Sequence, residues 1–366
     1  MSGLPIGNHR VLVFEKRDDT SKTAMVLNPI LSVILALLVG AVFLAVSGHN
    51  PLEIYSAMIT GAFGSSYSLS ETVVKATPLL LCGLAVSIAF RMQLWNIGAE
   101  GQFYMGAVAA SWFALFHSTG SRFLDLCLMM LVAFLAGGLW GLLPAVPRAL
   151  WKVNETITTL MLNYVAILFS NYLVYGPWKD PEGMNFPLTA IFPSSTLLPV
   201  LGNTRIHLGL IFGLVLAIIL YIVLWHTKWG YEIRVIGESP VAARYAGMNI
   251  AKNILLVMAL SGGLAGIAGM TEVSGITQRL QPNLSPGYGY SAIIVAWLAR
   301  LNPFAIILVS FLFGGLMVGG YNMQTLGLPA SVVSMLQGAI LFFILGSEIF
   351  TRYSLKIKAT QKKGVV

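Results

Sequence analysis

Long apolar runs recur along almost the whole of this chain, and they limit its fold more than any other feature. Each run has about 20 residues, the length of an α-helix that crosses about 30 Å of hydrocarbon. Only 10% of the 366 residues are charged, against about 25% in a typical soluble domain. The alternating ten-residue segments of a membrane β-barrel are not seen. The sequence therefore predicts an all-α polytopic membrane protein.

About ten membrane-spanning helices fit these runs. We predict them at 25–47, 72–91, 98–116, 124–145, 155–176, 206–226, 253–273, 288–301, 304–321 and 331–350. The eighth run is short and is flanked by glycine and proline, a pattern typical of a broken or partial span. Glycine pairs four residues apart, such as Gly137/Gly141 and Gly262/Gly266, predict close contacts between helices.

The distribution of positive charge predicts the orientation of these helices. With the N-terminus inside, 17 of the 22 Lys and Arg residues lie on the cytoplasmic side and 5 lie outside, as the positive-inside rule requires. The prediction is a cytoplasmic arm at 1–24, one transmembrane domain at 25–350 and a basic cytoplasmic tail at 351–366. The net charge of +8 follows from this rule, so we expect no nucleic-acid partner.

Motifs for catalysis and for ATP binding are missing from the sequence. It contains no GxxxxGK[ST] phosphate loop, no HExxH zinc motif and no GxSxG nucleophile motif. Its two cysteines, Cys82 and Cys127, lie in apolar runs, and its five histidines lack the spacing of metal ligands. We therefore predict no disulfide, no metal and no other cofactor. The chain is not expected to be an enzyme, and any energy from ATP has to come from another chain.

The most polar sequence near the membrane lies between the second and third predicted spans. It reads WNIGAEGQ at 95–102 and contains Asn96, Glu100 and Gln102. Carboxylate and amide groups are costly beside apolar helices unless they line an aqueous path, and glycine permits a break in a helix. Two interpretations are open: a solvated cytoplasmic turn, or a helix break whose polar groups face the permeation path.

The fifth predicted span carries a second group of polar residues. Thr156, Thr159, Asn163 and Ser170 share one face of this helix. Such residues either hydrogen-bond within the protein or line a pore. Asn163 is the best candidate for pore lining because an amide is the costliest of these groups against lipid. Together with Asn96, Glu100 and Gln102, it forms the predicted substrate path.

A charged interruption at 228–253 separates the sixth and seventh predicted spans. Ser239 followed by Pro240 is typical of a helix start, and Gly247 is typical of a helix end. The helix between them is apolar and about two turns long, too short to be stable alone in water. Because it is predicted to lie on the cytoplasmic side, it needs a partner there, either a protein surface or the lipid headgroups.

Four of these stretches resemble a known family. The sequences LWNIGAEGQFYMGA at 94–107, VNETITTLMLNY at 153–164, GYEIRVIGESPVAARYAGM at 230–248 and GYGYSAIIVAWLARLNP at 287–303 are similar to those of permease subunits of bacterial ABC importers. The similar branch handles simple sugars, nucleosides and branched-chain amino acids. The second and third stretches are the most specific, and they favour the nucleoside type.

The resemblance implies a permease subunit in the bacterial cytoplasmic (inner) membrane, where lipid surrounds it. Its solute would be a nucleoside or a related sugar-containing molecule. Its partners would be a cytoplasmic ABC ATPase, a second permease subunit that is commonly a different chain, and an external lipoprotein or periplasmic protein that delivers the solute. The resemblance also implies that 237–247 is the coupling helix that contacts the ATPase. The predicted contact residues are Gly237, Glu238, Ser239, Pro240, Ala242, Ala243, Arg244, Tyr245, Ala246 and Gly247.

Other functions stay open at this point. A permease for a simple sugar or for a vitamin with a ribityl chain belongs to the same family. An ion-coupled secondary transporter would need titratable groups in the spans, and Glu100 and Glu272 are the few candidates. The missing motifs argue against an intramembrane enzyme. The polar path residues argue against a protein that only supports assembly.

Overall fold

The computed structural model describes residues 4–5, 10–16, 22–325, 327–329 and 331–359. Helices make up most of this part of the chain. They are α1 (Lys22–Val46), α2 (Pro51–Phe63), α3 (Ser66–Arg91), α4 (Ala99–Phe116), α5 (Arg122–Trp151), α6 (Glu155–Tyr175), α7 (Gly209–His226), α8 (Lys228–Glu238), α9 (Pro240–Tyr245), α10 (Ile250–Glu272), α11 (Tyr288–Leu298), α12 (Pro303–Thr325) and α13 (Ser331–Arg352). A 3₁₀ turn lies at Ser194–Thr196, and a π-helical segment at Val273–Thr277 continues α10.

The chain divides into two compact units, one of which comprises residues 1–55 and 328–366. In its described part, α1 packs against α13. The hydroxyl of Ser32 in α1 donates to the backbone carbonyl of Phe343 in α13 at 3.1 Å. This unit therefore joins the first and last helices of the chain.

Three short strands in the same unit form an antiparallel sheet. They are β1 (Leu4–Pro5), β2 (Arg10–Lys16) and β3 (Tyr353–Ala359), in the order β1-β2-β3. Their register places Arg10 opposite Ala359 and Lys16 opposite Tyr353. This pairing between the arm and the tail was not predicted from the sequence, and it adds a small sheet to the expected all-α fold.

The second unit comprises residues 56–327, and α3 and α10 are the most buried of its candidate spans. An apolar window of 18 residues is 89% buried in α3 and 78% buried in α10. The corresponding windows in α5, α6, α7 and α12 are only 28–50% buried. α10 packs on α3, α4 and α5, while α12 packs on α3 and α6 on α4. The outer helices thus expose apolar surface, as helices that face lipid do.

Glycines allow α5 and α10 to pack with their backbones in contact. A Cβ atom built on Gly137 would lie 2.9 Å from Gly266 Cα, and one built on Gly262 would lie 3.0 Å from the Gly137 carbonyl carbon. A larger residue at either position would push the two helices apart. The close helix contact predicted from these glycine pairs is confirmed.

Six helices in the described residues are long and apolar enough to cross a membrane. They are Ser66–Arg91, Arg122–Trp151, Glu155–Tyr175, Gly209–His226, Ile250–Thr277 and Pro303–Gln324. The apolar stretches Ile30–Val46, Tyr288–Leu298 and Ser334–Phe343 are shorter. With 11 residues, α11 is about 16 Å long, so the expectation of a short eighth segment is confirmed. Ten spans, both termini inside and the division at 24/25 and 350/351 stay predictions.

Candidate functional site

The segment between α3 and α4 turns back into the helix bundle. α3 ends at Arg91, and shortly afterwards Asn96 donates from Nδ2 to the Ser261 hydroxyl at 2.9 Å. Ser261 lies halfway along α10, and its hydroxyl donates to the backbone carbonyl of Ala85 in α3 at 2.6 Å. α4 therefore begins level with the middle of α10, inside the bundle.

Two of the predicted path residues bind each other at this turn. Asn96 donates from Nδ2 to Gln102 Oε1 at 3.0 Å, and Gln102 donates from Nε2 to Asn96 Oδ1 at 3.2 Å. Asn96 Oδ1 also accepts from the backbone N–H of Gly98 at 3.0 Å. Both side chains are buried, and these bonds offset the cost of removing amides from water. The pair fixes the first turn of α4 against the preceding loop.

Asn163 joins α6 to this same point. Its Oδ1 accepts from the backbone N–H of Gly101 at 2.8 Å, and its Nδ2 donates to the Ile97 carbonyl at 2.9 Å. Nδ2 also lies 3.2 Å from the hydroxyl of Tyr290 in α11, to which it donates. One buried amide thus connects α6, the start of α4 and α11.

Glu100 connects the start of α4 to the start of α11. Its Oε2 accepts from the backbone N–H of Gly289 at 2.7 Å, and Ser285 and the N–H of Tyr290 also hydrogen-bond to this carboxylate. The first N–H groups of a helix have no partner within the helix and carry a positive partial charge. A carboxylate of another helix supplies that partner here. Glu100 is only 2% exposed, so it does not lie in a solvated turn.

A second group of polar side chains, largely buried, also contacts the start of α11. Lys75 in α3 donates to the Tyr288 hydroxyl at 3.0 Å, and its Nζ lies 4.0 Å from Glu272 Oε1 at the end of α10. Tyr288 is fully buried. Lys75 is one of the five positive charges predicted to lie outside, and nothing in its local sequence indicates partners about 200 residues away. The start of α11 therefore contacts two polar clusters.

The structure brings all four predicted path residues into one cluster. Asn96, Glu100, Gln102 and Asn163 are buried within this chain and hydrogen-bonded. In the fifth predicted span, Thr159 and Ser170 are also buried, whereas Thr156 is half-buried. Tyr290 is not among the predicted path residues. It is the half-buried member of the cluster, and the GYGY sequence at 287–290, which ends with it, was the available signal. A role of these residues in permeation stays a prediction.

The predicted coupling segment contains the expected short helix, α9. The Ser239 hydroxyl accepts from the Ala242 N–H at 3.3 Å, and Gly247 has a φ of +75°, a backbone angle that favours glycine after a helix. Val241 is 66% and Tyr245 is 90% exposed, whereas Ala243 is fully buried. Among the predicted contact residues, Ala243 and Gly237 are therefore buried against this chain. The exposed face also includes Val241, which is not one of the predicted contact residues.

A further helix, α8, connects α9 to the bundle. A Cβ atom built on Gly237 would clash with the backbone carbonyl oxygen of Arg91 and lie 3.2 Å from Met92 Cα. Arg91 in turn donates from Nη2 to the carbonyl of Leu301, just after α11, at 3.1 Å. Its guanidinium lies 4.7 Å from the centre of the Trp225 ring. Contacts therefore run from α8 through the end of α3 to the end of α11.

No group of three or more His, Cys, Asp or Glu side chains that could hold a metal ion is found in the described ranges. The arrangement offers amides, hydroxyls and one carboxylate, which bind polar groups by hydrogen bonds.

Comparison with known proteins gives one family and several relatives. Residues 68–345 match the family described as branched-chain amino acid transport system, permease component. The chain is 37% identical to a glucose ABC transporter permease protein of Haloferax volcanii, over 90% of this chain and 89% of the relative. It is 35% identical to a guanosine ABC transporter permease protein of Bacillus subtilis (92% and 97%) and 30% identical to a nucleoside ABC transporter permease protein of Lactococcus lactis (94% and 99%). No solved structure matches the chain.

Proposed function

This chain belongs to the family of permease components of ABC importers, and we propose that its solute is a nucleoside or a related sugar-containing molecule. As a permease subunit, the chain is a membrane protein and not an enzyme, since ATP is hydrolysed on a separate subunit. The relatives named above are described as permeases for glucose, guanosine and nucleosides. Each of those solutes contains a sugar, which supports the proposal.

Membership of this family removes the rival functions. An ion-coupled secondary transporter, an intramembrane enzyme and an assembly protein all lie outside a family of ABC importer permeases. Within the family, a simple sugar or a ribityl vitamin stays the alternative to a nucleoside.

The proposed path passes the junction of α4 and α11. Both helices begin inside the bundle, and transporters commonly place solutes at the ends of such discontinuous helices. The groups gathered there are mostly neutral hydrogen-bonding groups, the amides of Asn96, Gln102 and Asn163 and the hydroxyl of Tyr290. Such groups suit an uncharged solute with several hydroxyls. The half-buried Tyr290, held by Asn163, is the observation that carries this proposal.

Uptake of a labelled nucleoside by the complete importer in proteoliposomes tests the path. We expect Asn163→Ala and Tyr290→Phe to lower the rate of uptake several-fold and to change the order of preference among competing nucleosides and sugars. Tyr172→Phe is the matched control, because Tyr172 is an exposed tyrosine of α6. Unchanged uptake and preference in the first two variants would remove these residues from the path.

ABC importer permeases act with an ATPase and a substrate-binding protein, and we propose that the exposed face of α9 contacts the ATPase. This face carries Val241 and Tyr245 on a capped helix that is too short to be stable alone. We expect Tyr245→Asp to lower solute-stimulated ATP hydrolysis and to weaken co-purification of the ATPase. Met184→Asp, at an equally exposed position, should change neither. Ala243 is buried and does not belong to this face.

The finer composition of the complex is part of the same proposal. We propose a second permease subunit that is a different chain and an external lipoprotein or periplasmic protein that delivers the solute. Importers with permeases of this family commonly contain two different permease chains and an external binding protein, and this supports the proposal. Purification of the tagged chain from its native membranes, with identification of the retained proteins, tests it. Two copies of this chain without a second permease would contradict the proposed pairing.

A further inference from the structure

A cavity of about 660 Å³ lies where α8 meets the start of α10. Trp229 and Glu232 line it from α8, and Lys252 and Asn253 line it from α10. Lys252 and Asn253 belong to the first turn of α10, which is one of the candidate spans. The end of a membrane-spanning helix lies near the headgroup region of the bilayer. The cavity therefore opens at the depth of the lipid headgroups, whichever side of the membrane it faces.

Hydrogen bonds hold the polar wall of this cavity in place. Asn253 Oδ1 accepts from the indole Nε1–H of Trp229 at 2.7 Å, and its Nδ2 donates to Glu232 Oε2 at 3.0 Å. Nδ2 also donates to the backbone carbonyl of Asn249 at 3.0 Å. The carboxylate of Glu232 is thus fixed on the wall beside the indole of Trp229.

Two lysines supply positive charge to the same cavity. Lys228 and Lys252 line the cavity and are exposed. Among the described residues, the ion pairs are formed by side chains other than Lys228 and Lys252. Neither lysine ammonium is therefore neutralised by a carboxylate in an ion pair within the described ranges. The start of α10 adds the positive partial charge of a helix N-terminus. Charges of this kind at a membrane surface attract lipid phosphates.

Glu232 and Leu256 narrow the choice of ligand. The carboxylate of Glu232 lines the same cavity as the two lysines. It disfavours a purely anionic headgroup and attracts an ammonium group, and the neighbouring Trp229 can bind the same cation through its ring. Leu256 lies one turn beyond Lys252, lines the cavity and is 44% exposed. It gives an acyl chain an apolar surface directly below the charged groups.

We propose that this cavity binds the headgroup of a phospholipid that carries both a phosphate and a primary ammonium, as phosphatidylethanolamine does. The phosphate contacts Lys228 and Lys252, and the ammonium contacts Glu232. The linker residues Gly247 and Met248 also line the cavity, so a bound lipid would support the segment that joins α9 to α10. The effect on α9 rests on the proposed coupling function, whereas the binding of lipid does not.

Native mass spectrometry of the purified full-length chain tests the binding. The chain is mixed in detergent with equal amounts of phosphatidylethanolamine, phosphatidylglycerol and phosphatidylcholine, and the retained lipids are counted. We expect preferential retention of phosphatidylethanolamine, and a decrease of about fivefold in Lys252→Gln, the effect of one surface cation on lipid binding. Glu232→Gln keeps an oxygen that accepts from Asn253, and it should shift the preference to phosphatidylglycerol. Lys152→Gln and Glu182→Gln, at exposed positions outside the cavity, should retain lipid as the wild type does.

Several results would overturn the proposal. Equal retention of the three lipids, preference of the wild type for phosphatidylglycerol, or retention unaffected by Lys252→Gln and Glu232→Gln would each contradict it. Unchanged thermal unfolding of the variants in detergent shows that they are folded. If ATP hydrolysis by the complete importer does not respond to phosphatidylethanolamine, only the proposed effect of the lipid on α9 is contradicted. Docking of the ATPase on α9 is tested separately by Tyr245→Asp.

Discussion

Glu100 at the start of α4 accepts a hydrogen bond of 2.7 Å from the backbone N–H of Gly289 at the start of α11. The N-termini of two helices meet at this bond, and both carry a positive partial charge. The carboxylate lies between them and supplies the acceptor that water would supply at an exposed helix end. α11 can therefore begin inside the bundle without leaving its first N–H groups unpaired.

Replacement of Glu100 by alanine should destabilise the protein. The N–H of Gly289 would lose its acceptor, and an unsatisfied buried donor costs about 1–3 kcal/mol. Glu100→Gln keeps a carbonyl oxygen and should lose less stability. Thermal unfolding in detergent measures the difference, with Glu182→Ala, at an exposed position, as the control. Equal midpoints for Glu100→Ala and the wild type would show that this bond does not hold α11.

Replacement of Gly289 by alanine should separate α11 from α4. A Cβ atom at this position would lie 2.6 Å from Glu100 Cα, and overpacking of this kind costs about 1–3 kcal/mol. We expect a lower unfolding temperature and little uptake. Gly338→Ala is the control, because no atom lies within 4 Å of a Cβ built there. A fully active Gly289→Ala protein would contradict the close contact.

Replacement of Arg91 by glutamine should uncouple ATP hydrolysis from uptake. Arg91 is the residue through which α8, next to the proposed ATPase contact, reaches the carbonyl of Leu301 after α11. We expect ATP hydrolysis by the complete importer to continue while uptake per ATP falls several-fold. Arg205→Gln, which breaks an ion pair with Glu71, is the control. A parallel decrease of hydrolysis and uptake would point to a folding defect instead.

His207 should make stability depend on pH. It lies outside the six candidate spans, and burial lowers its pKa from 6.5 to about 4. Its Nδ1 accepts from the Gly209 N–H at 3.2 Å, so the neutral ring fits the fold. Because the folded pKa is the lower one, this stability is fully present above pH 6.5 and is lost as the pH falls towards 4. Between pH 8 and pH 5.5 the free energy of unfolding should fall by about 1 kcal/mol.

Unfolding of the chain in detergent at the two pH values measures this effect. His207→Gln should reduce the difference between them, whereas His117→Gln, which leaves His207 in place, should keep it. The segment around His207 is fixed to the π-helical segment. His207 pairs with Val200, and the N–H of nearby Leu198 donates to the backbone carbonyl of Ser274 at 3.2 Å. An equal difference in His207→Gln and the wild type would assign the pH dependence to other groups.

The sequence by itself determined the features that depend on local composition. Apolar runs of membrane-crossing length gave the helical membrane fold, and Ser239, Pro240 and Gly247 gave a capped helix at α9. Glycine spacing gave the contact between α5 and α10. These signals are readable because a helix start, a helix end and a small-residue face are each encoded within a few turns.

Only the tertiary structure decided where the polar residues lie. The sequence showed Asn96, Glu100, Gln102 and Asn163 as costly groups, but their partners are Ser261, the N–H of Gly289 and the hydroxyl of Tyr290. Ser261 lies in α10, and Gly289 and Tyr290 lie in α11. The groups of Gly289 and Tyr290 become available as partners only through the packing of α4, α6 and α11. A buried polar group needs a hydrogen-bond partner. The sequence shows that these residues need partners, but only the packing of the helices determines which groups the partners are.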